Sequence, residues 1–337
     1  MNLSSQNNNT WLITGVAGFI GVNLLIKLLN NNQNVVGLDN FYSGNQENLD
    51  KAKKLVGIKK WKNFKFYEGD ICNFKDCVKV TKNVDYVLHH AALGSVPKSM
   101  EEPKLNNKIN VDGFLNILLA SKKAKVSKVI YASSSAVYGD GLELPKNEDS
   151  EIKTLSPYAL SKAINEYYAK LFSKIYNMNI VGLRYFNVYG PFQDRNGAYA
   201  AVIPTWIENF INNEIVYING DGKNTRDFCH VSDVVNANIA TALCNKNISG
   251  EVFNVANGKK ISLIKLYNII KKTLTDKDYK LQQDKPVLRD FRDGDIIDSY
   301  ASITKIKKII KFKPSISFED GIKDTVMWFS LKKGKKQ

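Results

Sequence analysis

The sequence predicts an α/β fold: a doubly wound parallel sheet with a smaller α/β C-terminal domain. Two observations support this fold class. Short apolar runs alternate with amphipathic stretches through the first half of the chain, as expected for parallel strands joined by helices. A glycine-rich turn stands between the first apolar run and the first amphipathic stretch. At 337 residues, the chain is long enough for two domains.

The glycine-rich turn follows the apolar run Trp11–Thr14 and precedes an apolar-periodic helix. Gly15 would make a tight turn, Gly18 would let backbone approach a pyrophosphate, and Gly21 would let the helix lie close to the strand. The helix N-terminus would then direct its partial positive charge at the phosphates. This pattern indicates a dinucleotide-binding loop of the Rossmann type.

Asp39 ends the next predicted strand, Val35–Asp39. A carboxylate at that place binds the adenosine ribose hydroxyls in dinucleotide-binding folds. It would repel a 2′-phosphate, and no arginine follows to receive one. The sequence therefore favours NAD over NADP as the cofactor.

Further apolar runs and periodic stretches continue the alternation. The predicted strands are Phe64–Glu68, Tyr86–His89, Lys128–Ser133 and Ile180–Arg184, and the predicted helices lie near 45–56, 74–82, 106–123 and 158–176. Ligands of such a sheet bind beyond the carboxyl ends of the strands. The segments that fall there are Gly69–Ile71, His89–Gly94 and Ser133–Gly139.

His89 and His90 are neighbours on a predicted strand, so their side chains should point to opposite faces. We expect them to pack, or to contact cofactor through backbone, rather than to share a metal. Cys229 and His230 are interpreted as structural in the same way, and no metal site is predicted.

Composition narrows the function classes. The net charge is +15, yet the lysines are scattered, which is typical of a solvated surface rather than of a nucleic-acid site. No apolar run approaches the length of a membrane span. The polar N-terminus shows no signal-peptide pattern, and the four cysteines show no paired framework. We therefore expect a cytoplasmic protein without nucleic-acid or membrane partners.

The arginines are confined to one region of the chain. Arginine is preferred over lysine where a planar fork must grip phosphate or carboxylate with two bonds. The five arginines are Arg184, Arg195, Arg226, Arg289 and Arg292.

The stretch SPYALSK places Tyr158 and Lys162 four residues apart, on one face of a helix whose first turn suits Pro157. Ser134 ends the preceding strand, and both places can adjoin over a nicotinamide. A lysine ammonium about 5 Å from a phenol favours the phenolate by roughly 3 kcal/mol, or about two pKa units. With the positive nicotinamide ring, this predicts that Tyr158 is a base near neutral pH in a hydride-transfer site.

These motifs, with DNFYSG, GDI, HAA, SSSAVYG and RYFNVYG, resemble the extended short-chain dehydrogenase/reductase family over essentially the whole chain. Within that family the chain resembles the nucleotide-sugar epimerases. It is similar in particular to the UDP-N-acetylglucosamine 4-epimerase branch, through WLITGVAGFIG, AALGSVPKS, NGAYAAVIP, YINGDGKNTRDF and FRDGD.

The resemblance implies a role for each site residue. Ser134 would hydrogen-bond the reacting sugar oxygen, Tyr158 would act as base, and Lys162 would tune it. The implied NAD contacts are Gly15, Gly18, Phe19, Ile20, Gly21, Asp39, Asn40, Phe41, Tyr42, Ser43, Gly44, Asp70, Ile71, His90, Ala91, Ala92, Gly94, Asn110, Tyr158, Lys162, Tyr185 and Phe186. The implied UDP-sugar contacts are Ser134, Ser135, Tyr158, Asn187, Ala201, Val202, Tyr217, Asn219, Arg226, Arg292, Asp295 and Ser299.

The resemblance also implies the reaction. Arg226 and Arg292 would clamp the diphosphate and Asp295 would bind a ribose, while C4 is oxidised by tightly bound NAD and the keto sugar turns before hydride returns. Dehydratases and decarboxylases of the family carry an acid where this chain has Ala136, which favours simple epimerisation.

The sugar is inferred from Ser299. Glucose-specific relatives carry a bulky tyrosine at this position, which narrows the pocket beside C2. A serine leaves room for an N-acetyl group, so UDP-N-acetylglucosamine and UDP-N-acetylgalactosamine are the expected substrates. A one-residue slip would instead bring Tyr300 to the gate.

Several alternatives stay open. Other expected sugars are UDP-N-acetylhexosaminuronic acid, UDP-glucose and UDP-glucuronate. The rival from another class is a non-catalytic NAD-binding sensor, which would not need Ser134, Tyr158 and Lys162 together.

The predicted NAD-binding domain comprises 1–186 and about 227–255, and the UDP-sugar domain comprises about 187–226 and 256–331. Residues 332–337 are expected to be a disordered tail. Relatives usually dimerise through a helix pair, so a homodimer is expected. The substrate alone suggests polysaccharide biosynthesis as the pathway.

Overall fold

Seven parallel strands form the main sheet within residues 8–194, 201–291 and 298–333, which the computed structural model describes. In chain order they are β1 (Thr10–Thr14), β2 (Asn34–Asp39), β3 (Phe64–Glu68), β4 (Tyr86–His89), β5 (Lys128–Ser134), β6 (Ile180–Tyr185) and β11 (Val252–Val255). Their spatial order is β11–β6–β5–β4–β1–β2–β3, which reverses direction between β1 and β4. The predicted doubly wound sheet is therefore confirmed, and its switch point lies where such sheets bind ligands.

The helices alternate with these strands as predicted, and a π-helical turn (Lys108–Asp112) divides the stretch near 106–123. They are α1 (Phe19–Asn30), α2 (Gln46–Trp61), α3 (Phe74–Thr81), α4 (Val96–Glu101), α5 (Pro103–Asn107), α6 (Gly113–Ala124), α7 (Pro157–Tyr176), α8 (Val202–Asn212), α9 (Val231–Ala242), α10 (Leu263–Thr275), α11 (Thr304–Ile309) and α12 (Phe318–Lys333). A 3₁₀ turn spans Ser135–Tyr138.

Short strands outside the main sheet pair among themselves. They are β7 (Val188–Tyr189), β8 (Tyr217–Asn219), β9 (Thr225–Arg226), β10 (Cys229–His230), β12 (Ile261–Ser262), β13 (Val287–Arg289) and β14 (Asp298–Ser299).

The sheet separates two apolar cores. Trp11 and Leu12 are adjacent on β1 and enter opposite cores, as the two-residue period of a strand requires. Helices α1, α2, α9 and α11 contribute to one core, and α3, α6 and α7 contribute to the other. Both faces are thus covered, which explains why these strands are continuously apolar.

A third core lies in the C-terminal half, where α8, α10 and α12 pack around Trp206, Phe210 and Tyr267. It supports a separate substrate-binding unit, and the two-domain division stays a proposal. One boundary differs from the prediction of 256–331 for that unit. The α11 segment packs through Ile303 and Ile306 into the first core instead, where it contacts the edge strand β11.

The C-terminal boundary also differs from the prediction. Helix α12 continues to Lys333, so the first two residues of the expected disordered tail are helical. The remainder, 334–337, lies outside the described residues. Among the described helices, none combines the length and apolar character needed to cross a membrane.

A buried ion pair joins α7 to β6. Arg184 donates from Nε to Oε1 of Glu166 at 2.9 Å and from NH2 to Oε2 at 2.7 Å. Ser133 Oγ donates to the same carboxylate at 2.6 Å, and Arg184 NH1 donates to the hydroxyl of Tyr138 at 2.8 Å. Arg184 thus grips a carboxylate of its own chain rather than a ligand.

Candidate active site

A cavity of about 560 Å³ opens at the carboxyl ends of the central strands, within the usual size range of ligand pockets. It brings together most of the predicted NAD residues with the serine, tyrosine and lysine that the sequence predicts to be catalytic. The predicted residues that line it are Gly15, Gly18, Phe19, Ile20, Gly21, Asp39, Asn40, Tyr42, Ser43, Asp70, Ile71, His90, Ala91, Ala92, Gly94, Ser134, Ser135, Tyr158, Lys162, Tyr185 and Asn187.

The glycine loop has the geometry that a diphosphate needs. Gly15 has a φ of +72°, which side chains rarely adopt, and a Cβ on Gly21 would lie 2.0 Å from the Gly15 carbonyl oxygen. Helix α1 can therefore rest directly on the turn. Its N-cap is Gly18, without a side-chain cap, so the first-turn N–H groups face the cavity without a competing side chain.

Asp39 orders the loop beside this turn. Its carboxylate accepts the N–H of Ala17 at 2.9 Å and the N–H of Phe41 at 2.8 Å. Burial raises the pKa of Asp39, and these backbone hydrogen bonds lower it in part. The oxygens retain lone pairs toward the cavity, so the residues present fit an adenosine ribose and the NAD that the sequence predicted.

Four predicted NAD residues lie outside the cavity lining. Phe41 packs on Phe66, and Phe186 is fully buried against Tyr138. Gly44 approaches the backbone of Ala17 so closely that a Cβ would lie 2.8 Å from it. Asn110 is buried and holds Leu93. Contact between these four residues and NAD stays a prediction.

The two histidines have separate partners, as expected for neighbours on a strand. His89 Nδ1 lies 2.8 Å from the Thr14 hydroxyl, and His90 Nε2 lies 2.9 Å from the Tyr185 hydroxyl. Asn238 donates to that same hydroxyl at 2.8 Å. Burial lowers the pKa of His90 to about 4, so its ring is neutral at pH 7.

The catalytic helix α7 starts at the cavity wall. Ser156 caps it by accepting the N–H of Ala159 at 3.1 Å, and Pro157 occupies its first turn. Lys162 is buried one turn further on and donates to the Ala132 carbonyl at 2.9 Å. Its Nζ lies 5.7 Å from the ring centroid of Tyr158.

The electrostatics of this pair differ from the sequence-based expectation. Burial raises the pKa of Tyr158, and a hydrogen bond with Ser134 lowers it only in part. Burial also lowers the pKa of Lys162 to about 8. Desolvation therefore outweighs the attraction between phenolate and ammonium that the spacing suggested. A phenolate in this site requires further positive charge, which the nicotinamide ring carries.

Among the described residues, the other predicted UDP-sugar contacts are not part of the lining of this cavity. Ala201 and Val202 lie at the start of α8, Tyr217 and Asn219 lie on β8, and Arg226 and Ser299 lie on β9 and β14. Arg292 and Asp295 lie outside the described residues, as does Arg195. Of the remaining arginines, Arg289 stacks its guanidinium 3.3 Å from the ring centroid of Tyr217.

Ser299 and Tyr300 face opposite ways. Ser299 is in register with Arg226 on the neighbouring parallel strand, so their side chains share one face. The opposite face carries Lys260, whose Nζ lies 4.6 Å from the ring centroid of Tyr300 and 3.6 Å from the Asp298 carboxylate. Ser299 rather than Tyr300 therefore stands beside the predicted diphosphate arginine.

Several cavity residues had not been predicted as site residues. Val96 lies within the quoted AALGSVPKS motif but had no assigned role, and tertiary structure brings it and Ile109 to the wall. Proximity to a motif could have found the others. These residues are Leu38, Gly69, Val96, Ile109, Ala132, Ser133, Ala136 and Val188.

Comparison with known proteins places the chain in a family. Residues 11–256 match the model of the NAD dependent epimerase/dehydratase family. A putative UDP-glucose 4-epimerase from Methanocaldococcus jannaschii is 38% identical, over 94% of this chain and 97% of that protein.

Two solved structures are also similar. One is a UDP-N-acetylglucosamine 4-epimerase from Methanobrevibacter ruminantium M1 in complex with UDP-N-acetylmuramic acid, at 38% identity and a TM-score of 0.88, covering 97% of this chain and 100% of that chain. The other is a UDP-glucuronic acid 4-epimerase from Bacillus cereus in complex with UDP-glucuronic acid and NAD, at 28% identity and a TM-score of 0.85, covering 96% and 99%.

Replacing Gly21 by Ala should weaken NAD binding by at least about tenfold, or about 1.4 kcal/mol, because the new Cβ must push α1 off the turn. Titration of NAD-free protein with NAD measures this. Gly94→Ala is the matched control, since it lines the same cavity and its Cβ would meet nothing within 4 Å. Equal affinities for the two variants would contradict this account of the loop.

Replacing Lys162 by Met should stabilise the NAD-free protein at pH 7 by up to about 3 kcal/mol. The pKa of Lys162 is about 8 when folded and 10.5 when unfolded, so the folded state resists protonation. The wild type therefore recovers stability as the pH rises from about 8 to 10.5, and the difference between the proteins disappears. Denaturant unfolding of the wild type and of the variant at pH 7 and at pH 10.5 measures this difference.

The matched control is Lys170→Met, at an exposed lysine of the same helix. Its effect on the free energy of unfolding at pH 7 should be much smaller than that of Lys162→Met, because its side chain stays in solvent. A Lys162→Met effect that does not change between pH 7 and pH 10.5 would argue against the buried cation.

Proposed function

The chain belongs to the NAD dependent epimerase/dehydratase family and is a UDP-sugar 4-epimerase, and from that premise we propose that it interconverts UDP-N-acetylglucosamine and UDP-N-acetylgalactosamine. Its cofactor is NAD, as the glycine loop and Asp39 predicted. The observation that carries the choice of sugar is the orientation of Ser299. This small side chain shares a face with Arg226, and Tyr300 faces away.

The surroundings of Ser299 also argue against a UDP-uronic acid as the substrate. A C6 carboxylate would need an additional cation beside the sugar. Lys260, next to the Ser299 strand, lies on the Tyr300 face and already pairs with Asp298. UDP-glucose would fit the wider pocket but would leave the space beside C2 unfilled.

The catalytic residues would divide the work as follows. Tyr158 would take the proton of the sugar C4 hydroxyl as general base and return it later as general acid. Ser134, in register with Tyr185 at the end of β5, would hold that oxygen by a hydrogen bond. Lys162, fixed to the Ala132 carbonyl, would stabilise the phenolate. Bound NAD supplies reversible hydride acceptance at C4.

Ala136 supports epimerisation rather than elimination. It lines the cavity just after Ser134 and Ser135 and presents only a methyl group. No acid at this position can assist loss of water or carbon dioxide. A 4-keto sugar anchored through Arg226 and Arg292 could then turn and present its other face to the same residues.

Proton NMR of the purified protein with UDP-N-acetylglucosamine, without added NAD, tests the proposal. We expect the anomeric signal of the galacto epimer to appear. Tyr158→Phe should lower the rate by at least about a hundredfold, because the general base is lost, while bound NAD is retained. Turnover of UDP-glucose or UDP-glucuronate alone would reject the proposed sugar, and silence with every sugar would favour the NAD-binding sensor.

Replacing Ser299 by Tyr should narrow the pocket beside C2. We expect kcat/KM for UDP-N-acetylglucosamine to fall by at least about tenfold relative to that for UDP-glucose. Tyr300→Ser, at the residue that follows this strand and lies beside Lys260, removes the bulk of the ring and should leave the ratio unchanged. A ratio that responds to Tyr300 instead would restore the one-residue slip.

We also propose a homodimer through α7. Its outer face exposes Leu160, Tyr167, Leu171 and Ile175, the middle two by 67% and 47%. This spacing forms one apolar stripe along the helix. A stripe of that length on an otherwise lysine-rich surface is typical of a protein interface.

Leu171→Lys together with Ile175→Lys should convert the dimer to a monomer, because both charges would be buried in the interface. Light scattering after size exclusion measures the mass. Ile58→Lys is the control, since Ile58 on α2 is 68% exposed and lies outside the stripe. A wild-type monomer, or a double variant that stays dimeric, would contradict the proposal.

A further inference from the structure

The backbone N–H of Tyr158 is held by a residue from another helix. Ser99 on α4 is fully buried, and its Oγ accepts this N–H at 3.1 Å. The same hydroxyl donates to the Val96 carbonyl at 2.6 Å. One hydroxyl therefore ties the first turn of the catalytic helix to the first turn of α4, where Val96 lines the cavity.

A helix normally satisfies its first-turn N–H groups with its own cap or with water. Ser156 provides that cap here, for Ala159. The bond from Ser99 is additional, and it is specific to the residue that carries the phenol. The bond is partly buried and Ser99 itself is fully buried, so loss of this hydroxyl would remove the protein partner of the Tyr158 N–H.

The carbonyl of Tyr158 is held as well. Ser161 Oγ donates to it at 2.7 Å and accepts from Nδ2 of Asn110 at 3.1 Å. Asn110 Oδ1 in turn accepts the N–H of Leu93 at 2.7 Å. Both peptide groups that flank the Tyr158 side chain are therefore linked to one segment, Leu93–Ser99, which forms the cavity wall.

We propose that Ser99 is a positioning residue that sets where the Tyr158 phenol stands relative to Ser134. The hydroxyl does not touch substrate or cofactor, and it acts by locking α7 to the wall of the cavity. This inference rests on the proposed role of Tyr158. It predicts that the backbone hydrogen bonds of α4 and of the first turn of α7 become exposed to solvent together, as one cooperative unit.

Ser99→Ala and Ser156→Ala make a matched pair, because each removes one serine hydroxyl that accepts a backbone N–H from the first turn of α7. The rate is expressed per bound NAD, so that unfolded protein is not counted. For Ser99→Ala we expect kcat to fall by roughly tenfold to a hundredfold, since a displacement of about 1 Å suffices for such a loss. For Ser156→Ala we expect a change within about twofold, because α4 still holds Tyr158.

Hydrogen exchange followed by mass spectrometry supplies a readout without substrate. Ser99→Ala should accelerate exchange in both α4 and the first turn of α7, and Ser156→Ala only in α7. Unchanged exchange in α4, or a kcat loss no larger than that of Ser156→Ala, would overturn the proposal. A wild type without UDP-sugar turnover would reject the function and leave the exchange result standing.

Discussion

The elements that build the candidate active site, β5, α7 and β6, are held together by the buried ion pair between Glu166 and Arg184. A buried pair is stable only when its remaining donors and acceptors are satisfied. Ser133 and Tyr138 satisfy them here, and Tyr138 in turn donates to Asn254 at 2.7 Å. Asn254 Nδ2 then bonds the carbonyls of Lys146 and Ser302. A continuous polar path therefore leads from the serine strand β5, through α7 and β6, to the segment that follows Ser299.

The site is costly to form without its ligand. Burial disfavours the charged forms of both Tyr158 and Lys162, although the proposed catalysis would require them together. The surrounding structure must hold these groups against their own solvation. The Ala132 carbonyl accepts a hydrogen bond from Lys162, Ser134 bonds the Tyr158 phenol, and the Ser99 hydroxyl fixes the Tyr158 backbone N–H. The free energy gained by folding the sheet and its cores offsets the cost of desolvating these two side chains.

Much of the fold could be predicted because it follows from local pattern. The strands and helices have distinct periods, and Gly15, Gly21 and Asp39 fit the fixed spacing of a dinucleotide-binding turn. What escaped prediction depends on tertiary contact. Val96 lies within the AALGSVPKS motif, but only the packing of α4 on α7 shows that it reaches the cavity. The direction of the pKa shift of Tyr158 escaped for the same reason, since spacing along a helix gives a distance but not the burial. The packing of α11 against β11 also escaped prediction, because the sequence does not show which apolar core lies nearer to α11 in the folded chain.

Helix α7 is amphipathic, but its buried face carries several polar side chains and its exposed face carries apolar ones. Its buried residues include Ser161, Lys162, Asn165 and Glu166, whereas its outer face carries the apolar stripe. Hydrophobic burial within one chain would turn this helix by about half a revolution and hide the stripe. Polar partners on β5, β6 and the π-helical turn select the native orientation instead. If α7 forms the proposed dimer interface, every newly made chain exposes this apolar stripe to solvent until it pairs with a second copy.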